Sequence, residues 1–405
     1  MEDDVVEVKA LHDEARAMLP EIAALRHALH RVPELALDLP RTQALVLDAL
    51  AGLDLEISTG DGLSSVVAVL RGGRPGPAVL LRGDMDALPV TEQTGEPFTS
   101  EHVGLMHACG HDMHVAGLVG AARLLAARRA DVAGDVVLMF QPGEEGDGGA
   151  EIMIEQGVLD AAGQRVVAAY GVHVASGLLP HGVVSGRAGT AMAAADSVVV
   201  TVHGSGGHGS APHRALDPVP VAAEIVLALQ AMVTRRFDAF DPVVVTVGAL
   251  HAGTANNIIP ASATLEITVR TFSRDTWQAA PERLREVCEH VAAAHGLTAE
   301  VDYRRGYPVT VNDPHELERT ARLTRAMLGE DAWQTMPQPL AGAEDFSYVL
   351  QEVPGSFVFV SALAADGDPV TAPYNHSPYA RFDDAALATG AALLAGLALD
   401  RLAEG

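Results

Sequence analysis

From about residue 64 to residue 174, short apolar runs of strand type alternate with stretches of helical spacing, and this alternation restricts the fold more than any other feature. The runs SSVVAVLRG (64–72), PAVLLRGD (77–84), DVVLMFQ (135–141) and VVAAYGVHV (166–174) are rich in Val and Leu. Most lack the in–out polar alternation of a half-exposed strand, as expected where both faces of a sheet are covered. Helical patterns at 114–129 and 149–157 fall between them, and the turn-rich GGRPG joins the first two. The order predicts an α/β unit with a mostly parallel sheet between helices. Upstream, 7–29 and 42–50 carry helical spacing, with Pro33 as the break.

The pattern changes near Gly186. SVVVTVHG, PVVVTVGAL and ATLEITVRTF have a period of two, and long helical stretches at 219–233 and 275–295 are interleaved with them. This predicts an inserted α+β domain. The boundaries are 1–187 for the first part of the main domain, 188–300 for the insertion and 301–405 for the return. The return adds a helix at 315–328, the loop LAGAEDFSY, a strand at 355–361 and a last helix after Asp383.

The chain has 405 residues, enough for two or three domains. With 27 basic and 53 acidic residues it carries 27 − 53 = −26 charges, which repel nucleic acid and anionic membrane and attract cations. Two cysteines, Cys109 and Cys288, cannot form a disulfide framework at this length. The acidic N-terminus lacks the pattern of a secretory leader, and no uninterrupted apolar run reaches 18 residues. A cytoplasmic protein is expected.

Four clusters of metal-binding residue types stand where strands should hand over to loops, RGDMDALP (82–89), MHACGHDMH (106–114), QPGEEGDGGA (141–150) and GVHV (171–174), and a fifth, YNHSPY (374–379), lies near the C-terminus. Ligands of open α/β sheets collect beyond the carboxyl ends of strands, so these clusters are expected to converge. Thiolate, imidazole and carboxylate together suit a divalent transition metal. Cys109 and His111 are two apart, which in extended chain puts both side chains on one side of the strand, with Gly110 relieving crowding between them. His107 and His114 are either polar supports or ligands. Of the adjacent Glu144 and Glu145, one is expected to bind metal while the other handles a proton, since neighbours at a strand end do not easily face the same way. Asp86 suits orientation of a ligating histidine, and Asp84 a structural role. Cys288, in a helical context, reads as an inert core residue, and His213 as structural or solvent-facing.

Together with GHGSAPH (207–213), NNIIPASATLEITVRTF (256–272) and AGAEDFSY (341–348), these motifs resemble, in order, the M20 metallopeptidase family. The branch is that of hippurate hydrolase and indole-acetyl-amino-acid hydrolase, and the resemblance runs from about residue 30 to residue 379. It implies a mostly parallel-sheet dinuclear metallohydrolase domain with an inserted α+β lid that usually dimerises. The implied metal ligands are Cys109, His111, Glu145, His173 and His376, holding two divalent ions, Zn or Mn, with Co or Ni also admitted. Glu144 is the implied general base and acid, and Asp86 the residue orienting a ligand. His208 is implied to reach an active site from the lid, with Asn257, Arg270 and Gly342 at the substrate.

The expected activity is hydrolysis of N-acyl amino acids by a homodimer with no nucleic-acid or membrane partner. A dipeptidase or a biosynthetic N-acetyl-amino-acid deacetylase would use the same metal chemistry. A non-catalytic amino acid or peptide sensor has no need of a spare carboxylate such as Glu144, and a structural zinc domain would show paired CxxC spacing, which the sequence lacks.

Overall fold

In the computed structural model, which describes residues 2–404, the four apolar runs lie side by side in an eight-stranded sheet. Across it the strands are Glu56–Thr59, Val66–Arg71, Ala133–Gln141, Arg74–Asp84, Val166–Ala175, Gly355–Ser361, Val184–Gly186 and Trp333–Thr335. The four from Ala133–Gln141 to Gly355–Ser361 are mutually parallel, while Val66–Arg71 and Glu56–Thr59 form an antiparallel edge. Val79, Leu80 and Leu81 are all fully buried, as are Val136 to Phe140, so both faces of these strands are covered.

The helices His111–Ala127 and Ala385–Ala403 pack on each other and on this sheet. Gly120 lets them approach, since a Cβ there would stand 2.9 Å from that of Ala391. Leu118, Leu125, Leu393, Leu394 and Leu397 are at most 1% exposed, and each such burial contributes roughly 1.5–3 kcal/mol. Ala385–Ala403 and Pro218–Arg236 are long and apolar enough to cross a membrane. The first is a core helix, and the second turns Val221, Ile225, Leu229 and Met232 into the core of its own unit. At the N-terminus the single helical stretch expected over 7–29 is two helices, Glu2–Ala17 and Leu19–Arg31, with Pro20 near the start of the second. Proline is tolerated in a first turn, so it marks a restart that spacing alone does not reveal.

The chain divides into two units: Met1–Ala191 with Val311–Gln338 and Asp345–Gly405, and Met192–Thr310 with Pro339–Glu344. The second unit is a four-stranded antiparallel sheet in the order Val243–Ala252, Ser262–Thr271, Ala194–His203, Thr298–Arg304. Helices Pro218–Arg236 and Arg274–Ala294 bury their apolar stripes against it. The expected boundary at residue 300 cuts the strand Thr298–Arg304, which belongs wholly to this sheet. TAEVDYR alternates between exposed and half-buried positions along an edge, and so carries too little apolar signal to be recognised. Cys288 lies in this unit's core, where burial pushes its thiol up to about 12 and leaves it unreactive.

Candidate active site

Arg74–Asp84 is the hinge of the large sheet's topology: the strand that follows it, Ala133–Gln141, pairs on one side, and the next, Val166–Ala175, on the other. Loops leaving such neighbours in opposite directions open a crevice at the carboxyl ends. Asp84 and Asp86 stand at the end of the first strand, Glu144 and Glu145 beyond the second, and His173 near the end of the third. Cys109 and His111 arrive at the start of His111–Ala127, and His376 in the loop after Gly355–Ser361.

The five clusters meet. Cys109 Sγ lies 3.4 Å from His173 Nε2 and 3.2 Å from His376 Nε2. His376 Nε2 is 3.3 Å from Glu145 Oε1. His111 Nε2 is 3.9 Å from Glu145 Oε1 and 4.0 Å from Glu144 Oε2. Three interlocking donor sets result, namely Cys109–His111–His173, Cys109–Glu145–His376 and His111–Glu144–Glu145, each with its ligand atoms within 4.8 Å of one another.

These residues fit a cation. Both His111 nitrogens and Glu145 Oε1 are buried without a hydrogen bond despite their close neighbours, a costly state unless something else satisfies them. His173 Nδ1–H donates to Val174 O at 2.8 Å, which leaves the Nε2 lone pair aimed at the sulfur. Two lone pairs so placed call for a shared proton or a metal ion. The local charges agree. The adjoining Cys109 thiol and the Glu145 carboxylate push His376 up to about 10. Burial opposes protonation of His111, yet Asp84 and Cys109 raise it well above the usual imidazole range. Burial and the neighbouring His114 hold His173 well below it.

The local conformation differs from expectation in two places. Cys109 and His111 are not in extended chain: Gly110, at φ +83°, turns left-handed and His111 opens the helix. A Cβ on Gly110 would stand 2.5 Å from Val174 Cγ2, so both space and dihedral require glycine there. Glu144 and Glu145 both reach toward His111 rather than diverging, because the chain turns at once, with Gly146 N–H donating to Glu144 O. Asp86 fixes this turn. Its Oδ1 accepts the Glu144 N–H and its Oδ2 the Glu145 N–H, both at 3.0 Å, and Oδ1 faces His111 Nδ1 at 3.5 Å.

His114 is a support, as its bonds show. Nε2 accepts the Val174 N–H at 2.8 Å, so Nδ1 carries the proton and donates it to Asp84. With both nitrogens used, neither is left to ligate. Asp84 is also paired with buried Arg82 at 2.7 Å, and Arg82 reaches Gln141 and Asp345. Arg82, Gln141 and Asp345 were not singled out from the sequence, although all three lie within the motifs RGDMDALP, QPGEEGDGGA and AGAEDFSY. His107 is 1% exposed, its ring nitrogens have no hydrogen-bond partner, and burial pushes it down to about 4. It joins none of the donor sets found among the described residues. Asp112 anchors the helix start by accepting from Arg26 Nε at 3.1 Å and bonding His30 Nδ1 at 2.9 Å.

The remaining candidates lie in the second unit. His208 and Asn257 are brought together there, His208 pairing with Ile258 and Gly209 N–H donating to Asn257 O. His208 Nδ1 accepts the Ser210 N–H at 3.2 Å, so Nε2 bears the proton and the exposed imidazole presents a donor. Arg270 is half-buried on Ser262–Thr271, with Nη1 donating to Thr268 Oγ1 and Val269 O. Gly342 is exposed in the segment Pro339–Glu344, and His213 is exposed.

Residues 80–400 match the family model "Peptidase family M20/M25/M40". The chain is 38% identical to thermostable carboxypeptidase 1 of Saccharolobus solfataricus, over 87% of this chain and 88% of that one. It is 37% identical to the IAA-amino acid hydrolase ILR1-like 2 of Arabidopsis thaliana, over 94% and 85%. Among solved structures, the Bacillus subtilis YXEP protein, described as a dinuclear metal-binding peptidase from the M20 family, superposes with a TM-score of 0.81 at 33% identity, covering 96% of this chain and 99% of that one.

Proposed function

The chain belongs to peptidase family M20/M25/M40 and is a metal-dependent amidohydrolase, and from that premise we propose that it hydrolyses the amide bond of N-acyl amino acids, releasing a carboxylic acid and a free amino acid. The observation that carries this reading is the carboxylate of Glu144, held beside a cluster of Cys109, His111, Glu145, His173 and His376 whose ligand atoms form overlapping sets of three. Both relatives have names describing cleavage of an amide whose amine side is an amino acid.

Cys109, His111, Glu145, His173 and His376 would hold the divalent ions, Zn or Mn, with Co or Ni also compatible with the donor set. When bound, such ions polarise a carbonyl and make water easier to deprotonate. Glu144 takes the proton of the attacking water and delivers it to the leaving amine. Asp86 holds the Glu144–Glu145 turn and the face of His111, so the base and the donors keep one geometry. His208 donates through Nε2–H to the carbonyl oxygen as negative charge builds on it. Arg270 pairs with the carboxylate of the amino acid, and Asn257 and Gly342 complete its surroundings. The enzyme acts as a homodimer joined through the second unit, whose edge strand Val243–Ala252 exposes Val244 and Leu250.

The test is a panel of N-acetyl, N-benzoyl and long-chain N-acyl amino acids, their C-terminal amides and simple dipeptides, offered to protein reconstituted with Zn or Mn. Free-carboxylate N-acyl amino acids should be the best substrates, and preference for dipeptides or for the amides would refute the substrate class. Glu144→Gln should retain its metal by elemental analysis while kcat falls about 10²–10⁴-fold. Near-normal turnover in that variant would remove Glu144 from the mechanism.

A further inference from the structure

Three of the proposed donors reach the site on segments far apart in sequence: the loop carrying Cys109, the strand end carrying His173 and the loop carrying His376. Apart from the donors themselves, the side chain that ties all three together is Asn375, half-buried and next to His376. Its amide nitrogen donates to Cys109 O at 3.0 Å and to Val174 O at 2.9 Å. Its Oδ1 accepts the Ser176 N–H at 3.0 Å. Two carbonyls on one side and an N–H on the other leave the amide only one orientation.

We propose that Asn375 is a positioning residue that sets the spacing of Cys109, His173 and His376 for metal binding, an inference that rests on the metal-centre reading above. Val174 O is shared, since it accepts from both Asn375 Nδ2 and His173 Nδ1. Moving Asn375 therefore moves the bond that aims the His173 lone pair. His376 has φ +72°, a left-handed conformation that a residue with a Cβ adopts at a cost of about 1–2 kcal/mol. That conformation persists because the loop is pinned, by His376 N–H on Ala108 O and by the Asn375 clasp. Ser176 completes the clasp, its hydroxyl lying 2.9 Å from Pro373 O and 3.1 Å from Asn375 Oδ1.

The experiment is titration of metal-stripped full-length protein with Co²⁺, read by the thiolate-to-metal absorption band of Cys109, alongside urea unfolding of the stripped protein. Asn375→Asp keeps size and the Ser176 acceptor but turns an oxygen toward two carbonyl oxygens. Asn375→Leu keeps approximate volume and removes every bond. Both should weaken Co²⁺ binding about 10–100-fold and alter the band, while unfolding of the stripped protein stays close to wild type. Unchanged affinity and band overturn the proposal, as does a loss of affinity matched by a loss of metal-free stability, which marks a merely structural role. If neither variant folds, Ser176→Ala decides: weaker binding at unchanged metal-free stability supports the clasp, and unchanged binding overturns it. A wild-type protein that binds Co²⁺ without a thiolate band refutes the metal-centre reading itself, whatever the variants do.

Discussion

Gly110→Ala perturbs the site without touching a donor atom, and its cost follows from the coordinates. The residue has φ +83°, a conformation roughly 1–2 kcal/mol worse for alanine than for glycine. The new Cβ would stand 2.5 Å from Val174 Cγ2 and 3.0 Å from Phe382 Cε1, against an optimum of about 3.5–4.0 Å for carbon pairs. Overpacking of this kind costs typically about 1–3 kcal/mol. The total is about 2–5 kcal/mol, and relief at the 2.5 Å contact comes from moving the Cys109–Gly110–His111 backbone or Val174, whose carbonyl holds His173, while the Phe382 ring must give as well. Metal affinity should therefore fall together with stability. Gly104→Ala is the control: its φ is +89°, but nothing lies within 4 Å of the added Cβ, so only the dihedral cost of about 1–2 kcal/mol remains. Urea unfolding of the metal-free proteins measures both, with equilibrium dialysis for the metal. Adding Val174→Ala to Gly110→Ala should recover part of the steric loss in a double-mutant cycle. If Gly110→Ala costs no more than Gly104→Ala and binds metal normally, the close approach does not govern the site.

Other consequences are as direct. Cys109→Ser should lower the metal content toward one ion per chain at limiting metal, because a hydroxyl is a poorer ligand than a thiolate; unchanged stoichiometry and activity would make Cys109 a packing residue. His208→Ala should abolish turnover with metal content intact, and random subunit exchange with Glu144→Gln should restore about a quarter of wild-type turnover per site if His208 serves the partner chain; no rescue after demonstrated exchange would place its action within its own chain. His30, buried between Asp112 and Glu92, is pushed up to about 9 from 6.5. A raised pKa stabilises the fold fully below about pH 6.5, and the gain is lost as pH rises through about 9, a difference on the order of 3 kcal/mol. The stability gap between metal-free wild type and His30→Asn should narrow over that window, and a gap independent of pH would refute the assignment.

What the sequence could show and what it could not divide along physical lines. Buried parallel strands announce themselves by composition, so the large sheet was legible, as was the convergence of clusters at strand ends. The edge strand Thr298–Arg304 was not, because half its side chains face solvent. The residues that converge in the structure were legible through residue type, but their local geometry was not. Only the left-handed φ of Gly110 shows that Cys109 and His111 meet around a helix start. The supports were hardest to find. Asn375 acquires its role from Val174, 201 positions away, and Arg82 from Asp345, 263 away. No local pattern encodes pairings at that distance. The shared orientation of Glu144 and Glu145 is not legible either, because it depends on a tight turn, closed by Gly146 N–H on Glu144 O, that the apolar run before it does not announce.

The wide separation of the donors along the chain also orders events in time. Cys109, His111, Glu145 and His173 are made first, and His376 follows His173 by 376 − 173 = 203 residues. At about 5–20 residues per second, translation leaves an interval of roughly 10–40 s. During it the nascent chain has four donors and none of the closing loop. The full set of proposed donors exists only after residue 376 has been made, so tight metal capture by that set would have to wait for the closing loop.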